Sequence, residues 1–274
     1  MTNRSVQSCT VHSVRGSERQ DRDDCIAVEE PLEIRIAREG EAGTGRAVSI
    51  TMRTPGHDEQ LAAGFLYGEG LLRRREDVVT IRPCGTSGNV IRVELPRENT
   101  LDLSRLERNF YTSSSCGVCG KASIEAVAAS VPSQAVASDF RVDAALLPTL
   151  ADRARQAQQV FEQTGGLHAA SLFDARGTLL ASYEDVGRHN ATDKLVGSLF
   201  LRDALPATQA ILLLSGRASF ELLQKAMAAG IPAVVAMGAP SSLAVDLAER
   251  AGILLAGFLR PHSYNVYTHA ERLR

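Results

Sequence analysis

The chain has 274 residues, of which 44% are hydrophobic and 5% aromatic, with no Trp; this suits an aliphatic core shared between one main domain and a smaller one. The formal net charge of -2 argues against a general nucleic-acid binder but leaves room for a local anion site. The polar first 24 residues lack the apolar run, roughly 7–15 residues long, of a secretory signal, and no stretch reaches the ~20 apolar residues of a membrane span, so the expectation is a cytoplasmic protein without membrane contact.

Residues 1–24 include the run RGSERQDRDD. They show no apolar periodicity and are expected to form a flexible tail. Four alternating segments follow: LEIRI at 32–36, AVSITM at 47–52, VVTIR at 78–82 and NVIRVEL at 89–95. They read as strands, the first two joined by the loop REGEAGTG. Between strands, HDEQLAAGFLYGEGLL places Leu61, Phe65 and Leu66 at helical spacing after a TPG turn. Residues 25–110 are therefore expected to form a small α+β domain.

The segment TSSSCGVCGKAS at 112–123 is dense in Ser, Gly and Cys and reads as a mobile loop over 111–123, with a helix starting after it. Residues 143–163 carry a helical pattern that ends at Gly165–Gly166. HAASLFD and TLLASYE read as two strands joined by an ARG turn at 175–177, and a helix is expected from about Ala191 to Phe200. Strand QAILLLS, helix ELLQKAMAA, strand PAVVAM, helix SLAVDLAERA and strand ILLAGF then alternate. That rhythm predicts an α/β domain over 124–274 with a largely parallel sheet covered on both faces.

In open α/β sheets ligands bind beyond the carboxyl ends of the strands. The segments there are EDVGRHN at 184–190, SGRAS at 215–219, GAPSS at 238–242 and LRPHS at 259–263. Helix starts and the guanidinium groups of Arg217 and Arg260 suit a phosphorylated, nucleotide-bearing ligand. The competing reading makes these ordinary turns, with Ser241 as a helix cap and the arginines paired at the surface. Asp185, Arg188 and His189 lie in the densest segment, EDVGRHNATDK, and suit acid–base work or ligand hydrogen bonding. The bland alternative there is a capped helix start with Asn190 as cap and Asp185–Arg188 as a structural pair. His168 reads as a satisfied core or supporting histidine, and Glu221–Lys225 as a simple i,i+4 pair.

Five cysteines are present: Cys9, Cys25, Cys84, Cys116 and Cys119. An odd number without a signal peptide argues against a disulfide framework. Cys116 and Cys119 form a CxxC flanked by Gly117 and Gly120 and followed by Lys121. Such a pair can hold zinc, form a disulfide or pass a sulfur atom, and a nearby cation favours the reactive thiolate. The zinc reading lacks a second CxxC; Cys84 with His168 or His189 would complete four ligands, but at no standard spacing, so no structural metal is expected.

Several long segments resemble the FdhD family of sulfur carriers needed for formate dehydrogenase activity. They are MRTPGHDEQLAAGFLYGEG at 52–70, SCGVCGK at 115–121, EDVGRHNATDK at 184–194, GRASFELLQKAMAAGIP at 216–232, and APSSLAVDLAERAGILLAGFLR with NVYT at 239–268. The resemblance implies a three-layer α/β/α, cytidine-deaminase-like C-terminal domain, commonly in a homodimer. It also implies that a cysteine desulfurase loads Cys116 with a persulfide sulfur, with Cys119 assisting. The sulfur then goes to the molybdenum of bis(molybdopterin guanine dinucleotide) before that cofactor enters apo-formate dehydrogenase. The family's cofactor-binding stretch falls on Phe258, Leu259, Arg260, Pro261, His262 and Ser263. Here PHSYNVY follows Arg260 where a more glycine-rich stretch is expected, so His262 stands in for a backbone contact.

Two rivals stand beside this reading. A zinc deaminase needs HxE followed by PCxxC; His168 is followed by Ala169 and Ala170, and the CxxC precedes it, which argues against deamination. A chaperone that only binds and delivers the cofactor would not need Cys116.

Overall fold

The computed structural model of the protein describes residues 5–99 and 139–274. The CxxC cysteines Cys116 and Cys119, and the helix expected after them, lie outside the described residues.

The chain opens with a two-stranded ribbon, β1 (Val6–Arg15) and β2 (Glu18–Ala27), paired antiparallel along its whole length. This corrects the expected flexible tail. Both faces of the ribbon are largely polar, so no hydrophobic alternation announces the strands. The ladder is held instead by its backbone pairs, by cross-strand contacts such as His12–Asp21, and by an anchored base, where Ser5 Oγ donates to Pro55 O at 2.7 Å.

A four-stranded sheet follows: β3 (Glu30–Arg38), β4 (Arg46–Arg53), β5 (Thr80–Pro83) and β6 (Val90–Leu95), in the order β4-β3-β6-β5. The inward residues Leu32, Ile34, Ile36, Ile91 and Val93 bury one face under α1 (Asp58–Gly68), through Leu61 and Leu66. The four strands and the helix stand where the alternation and the helical spacing put them.

The larger sheet has six strands: β7 (His168–Asp174), β8 (Leu179–Asp185), β9 (Ala210–Leu214), β10 (Ala233–Ala236), β11 (Leu254–Arg260) and β12 (Ser263–Thr268). Their order is β12-β11-β10-β9-β7-β8. Only β9, β10 and β11 pair in parallel; β7 runs antiparallel to both β8 and β9, and β12 antiparallel to β11. The expected parallel sheet is thus mixed, because a short turn can only join antiparallel neighbours. One face, with Leu172, Leu212, Val234 and Leu255, is covered by α4 (Arg188–Leu201), α5 (Phe220–Ala228) and α6 (Ser242–Ala251). The other, with Phe173, Ile211, Leu213 and Val235, packs on Phe140, Val142, Leu147 and Leu150.

The helix expected over 143–163 is broken into a 3-10 turn at Leu147–Thr149, α2 (Leu150–Arg155) and α3 (Gln159–Thr164). The break lets the Glu184 carboxylate of β8 accept from the N–H groups of Val160 and Phe161, at 3.0 and 2.7 Å. An interaction between segments thereby overrides a continuous helical pattern. The two halves of the molecule meet where α1 crosses α4. A Cβ on Gly64 would stand 1.9 Å from Asp193 O, and one on Gly197 would stand 1.8 Å from Gln60 O. The two backbones are in contact because both positions are glycine.

Candidate functional site

Because β8, β9, β10 and β11 point the same way, their carboxyl ends share one edge. The amino end of the reversed strand β7 lies there too, with His168 opposite Asp185 in the register. Backbone bonds zip the following loops together. Gly238 N donates to Gly216 O at 2.9 Å, Ser241 N to Ala218 O at 3.0 Å, and Phe258 N to Gly238 O at 3.1 Å. The four segments singled out in the sequence therefore converge.

A cavity of about 630 Å³ opens at this edge, between the strand ends and the α2–α3 segment. Leu259, Arg260 and Pro261 line it, as do Val186, Ser215 and Met237 from neighbouring strand ends. The opposite wall is Pro148, Ala151, Asp152, Arg155, Gln158 and Phe161, and Gly165–His168 close it. Arg260 is anchored through one Nη, which donates to Met237 O and Leu259 O at 2.8 and 2.7 Å. Leu259 is buried and belongs to the core below. The size and the mix of apolar walls with a few polar groups suit a small-molecule site.

His168 is half-buried in this wall. Burial, then the Arg188 guanidinium, hold its imidazole below the usual histidine range against the pull of Asp185. A neutral imidazole can both donate and accept a hydrogen bond at physiological pH. Both side chains lie over Gly216, where a Cβ would stand 3.4 Å from the His168 ring and 3.9 Å from Arg188 Cδ.

The remaining sequence candidates lie outside the cavity. Asp185 is fully buried, and its Oδ2 pairs with Lys194 Nζ at 2.7 Å. It also accepts from the Thr54 and Gly187 N–H groups and from Asn190 Nδ2. Asn190 reaches across to Met52 O at 2.7 Å, and Lys194 to Thr54 O at 2.9 Å. The dense segment EDVGRHNATDK thus ties β8 and α4 to the end of β4. Gly187, not Asn190, is the helix cap, and the buried partner of Asp185 is Lys194, not Arg188. Ser241 caps α6 as expected, accepting from Ala244 N.

His189 is buried beside α5, with Nε2 3.4 Å from Ser219 Oγ and 3.2 Å from Glu221 Oε2. Both neighbours face the same ring nitrogen, so the three do not form a relay of the serine–histidine–acid kind. Burial pushes the Glu221 carboxyl up to about 7. Lys225 lies 3.9 Å from Glu221 but 2.6 Å from Asp193, which is its main partner.

Arg217, His262 and Ser263 are exposed at the rim. Phe258 is 42% exposed and has φ 53°, a backbone conformation costly for a bulky side chain. A register shift between Gly257 and Arg260 puts it there.

Asp152, Arg155, Gln158 and Phe161 line the cavity without having been singled out in the sequence, and His168, expected as a core or supporting histidine, lines it too. For His168 the signal was present: a hairpin must bring the start of its first strand beside the end of its second. For the α2–α3 wall no local signal exists, since a helical pattern does not reveal which side it packs on.

Among the described residues there is no group of three or more His, Cys, Asp or Glu side chains placed to hold a metal. None of the described helices is long and apolar enough to cross a membrane.

The FdhD/NarQ family model matches residues 27–274. A sulfur carrier protein FdhD from Mycolicibacterium paratuberculosis is 50% identical over 259 residues, covering 92% of this chain and 93% of the relative. Another from Saccharolobus solfataricus is 42% identical over 260 residues, covering 95% of each. The crystal structure of a candidate formate dehydrogenase accessory protein from Desulfotalea psychrophila superposes with a TM-score of 0.74 at 25% identity, covering 98% of this chain and 99% of that one. On the length and identity of these matches, the chain belongs to the FdhD/NarQ family.

Proposed function

We propose that this protein is a sulfur carrier in formate dehydrogenase maturation. The Cys116 thiolate attacks the terminal sulfur of a persulfide on a cysteine desulfurase. One S–S bond forms on Cys116 as the donor's S–S bond breaks, and the donor cysteine leaves as thiolate. Cys119 stands close enough in sequence to resolve the product. The sulfur is destined for the molybdenum of bis(molybdopterin guanine dinucleotide), the cargo, before insertion into apo-formate dehydrogenase. We read residues 124–274 as the cytidine-deaminase-like α/β/α unit, residues 25–110 as the smaller unit, and the working assembly as a cytoplasmic homodimer.

The observation that carries this reading is the family's CxxC in a chain whose strand ends form a cavity walled by Arg155, His168 and Arg260. Those donors suit a phosphorylated ring compound, and apolar walls suit its planar part. Arg260 orients the phosphate, while Asp185 and Lys194 hold the loop that carries Val186 to the cavity. The rim residues Phe258, His262, Ser263 and Arg217 extend the contact surface; Arg188 and His189 act from behind it.

The test is intact-protein mass spectrometry after incubation with a cysteine desulfurase and cysteine. A reducible one-sulfur adduct on the wild type that vanishes in Cys116→Ala is expected. An unloaded wild type beside an active desulfurase control refutes sulfur carriage and favours a cofactor-binding chaperone.

A further inference from the structure

The cavity wall contributed by α2 and α3 carries one carboxylate, that of Asp152. Among the described residues Asp152 makes no hydrogen bond or ion pair. Its natural partner would be Arg155, three residues along the same helix and on the same wall. Arg155 instead places its guanidinium over the Phe161 ring, 5.1 Å from the centroid. The result is a carboxylate left open to the cavity beside a flat stack of guanidinium and phenyl. His168 and Arg260 face them from the strand ends.

Two acceptor oxygens side by side match a ring edge that presents two adjacent donors, a ring N–H and an exocyclic amine. A stacked aromatic and guanidinium offer such a ring a planar neighbour. Arg260, on the far wall, is placed for a phosphate on the same ligand. We propose that Asp152 is a specificity-determining residue that reads the 2-amino, N–H edge of a guanine or pterin ring, with Arg155 and Phe161 as its stacking wall. This rests on the reading of the cavity as the cofactor site. Guanine and pterin share the recognised edge, and either can be the ring that lies there.

Two ligand pairs separate the sources. GDP and IDP differ only in the guanine 2-amino group, which is hydrogen in IDP; pterin-6-carboxylate and lumazine-6-carboxylate differ at the same ring position, where lumazine has an oxo group in place of the amine. Titration calorimetry on the full-length protein measures all four. The expected result is that one pair is discriminated about tenfold in favour of the amino form, the loss of one charge-assisted hydrogen bond. Asp152→Asn abolishes that ratio while leaving the affinity for the partner that lacks the amine within about twofold. Phe161→Leu weakens both members of the pair alike. The discriminated pair identifies the ring. If wild type binds these ligands without discriminating either pair, or if Asp152→Asn keeps the ratio, the inference fails and the cofactor cavity stands. If none of the four binds, the cavity reading falls with it.

Discussion

Alanine at Gly64 or Gly197 tests the crossing of α1 and α4. By helix propensity alone each substitution stabilises, by about 1 kcal/mol. The packing demands the opposite sign. The new methyl carbon would stand 1.9 Å from Asp193 O in one case and 1.8 Å from Gln60 O in the other. Carbon and carbonyl oxygen do not normally approach closer than about 3.3 Å. The obstructing atoms are backbone, so no side chain can swing aside and the helices must part by roughly 1.4 Å, the difference of those spacings. Overpacking of this kind costs about 1–3 kcal/mol, and a shift between two helix backbones belongs at or above the upper end. At roughly 2–4 °C per kcal/mol for a protein of this size, the midpoint should fall by about 6–12 °C. Gly166→Ala is the control, since its Cβ would find ordinary contacts at 3.6 Å and beyond. Thermal and urea unfolding measure all three. A Gly64→Ala midpoint at or above wild type would refute the backbone-contact account and leave propensity in charge.

Three further outcomes follow from the buried charges and the strained aromatic. Lys194→Met strands the fully buried Asp185 carboxylate and should cost about 3–5 kcal/mol; Lys194→Met combined with Asp185→Leu should recover much of it, as read by urea midpoints. Glu221 keeps its proton in the folded state to about pH 7 but would lose it near 4.5 when unfolded. Its contribution to stability therefore declines as pH rises from 4.5 to about 7 and is flat above; unfolding midpoints of wild type should lose more over that window than those of Glu221→Gln, and parallel curves would disprove it. Phe258→Gly should relieve the left-handed backbone and raise stability by about 1 kcal/mol, whereas Phe258→Ala should not.

The strands and most helices could be read from the sequence because burial imposes a period on them. LEIRI and NVIRVEL alternate, and both face α1. The ribbon β1–β2 escaped because a ladder with two wet faces leaves no such period. The α2–α3 break escaped because its cause, the Glu184 carboxylate, comes from a strand more than twenty residues away, an order of separation beyond the i,i+4 reach of local patterns. At the site, loop convergence was legible from the rule that ligands gather at strand ends. The roles of individual residues were not. Asp185, Arg188 and His189 stood out as a dense polar run, yet density alone does not tell a ligand contact from an internal brace. Asp185 proves to brace two parts of the fold, while Arg155 and Phe161, inconspicuous in a helical stretch, stand in the wall.

Phe200, carried on α4, is buried in the same apolar cluster as β3, β6 and α1. The smaller unit is therefore not a module that can be excised at a chain boundary. A fragment ending before residue 100 would expose the groove that receives Phe200 and the bare stripe of α1 at Gly64. Chimaeras that exchange the first hundred residues between relatives should succeed only when the matching face of α4 travels with them. Gly64, Gly197 and Phe200 then behave as one heritable unit split across the sequence.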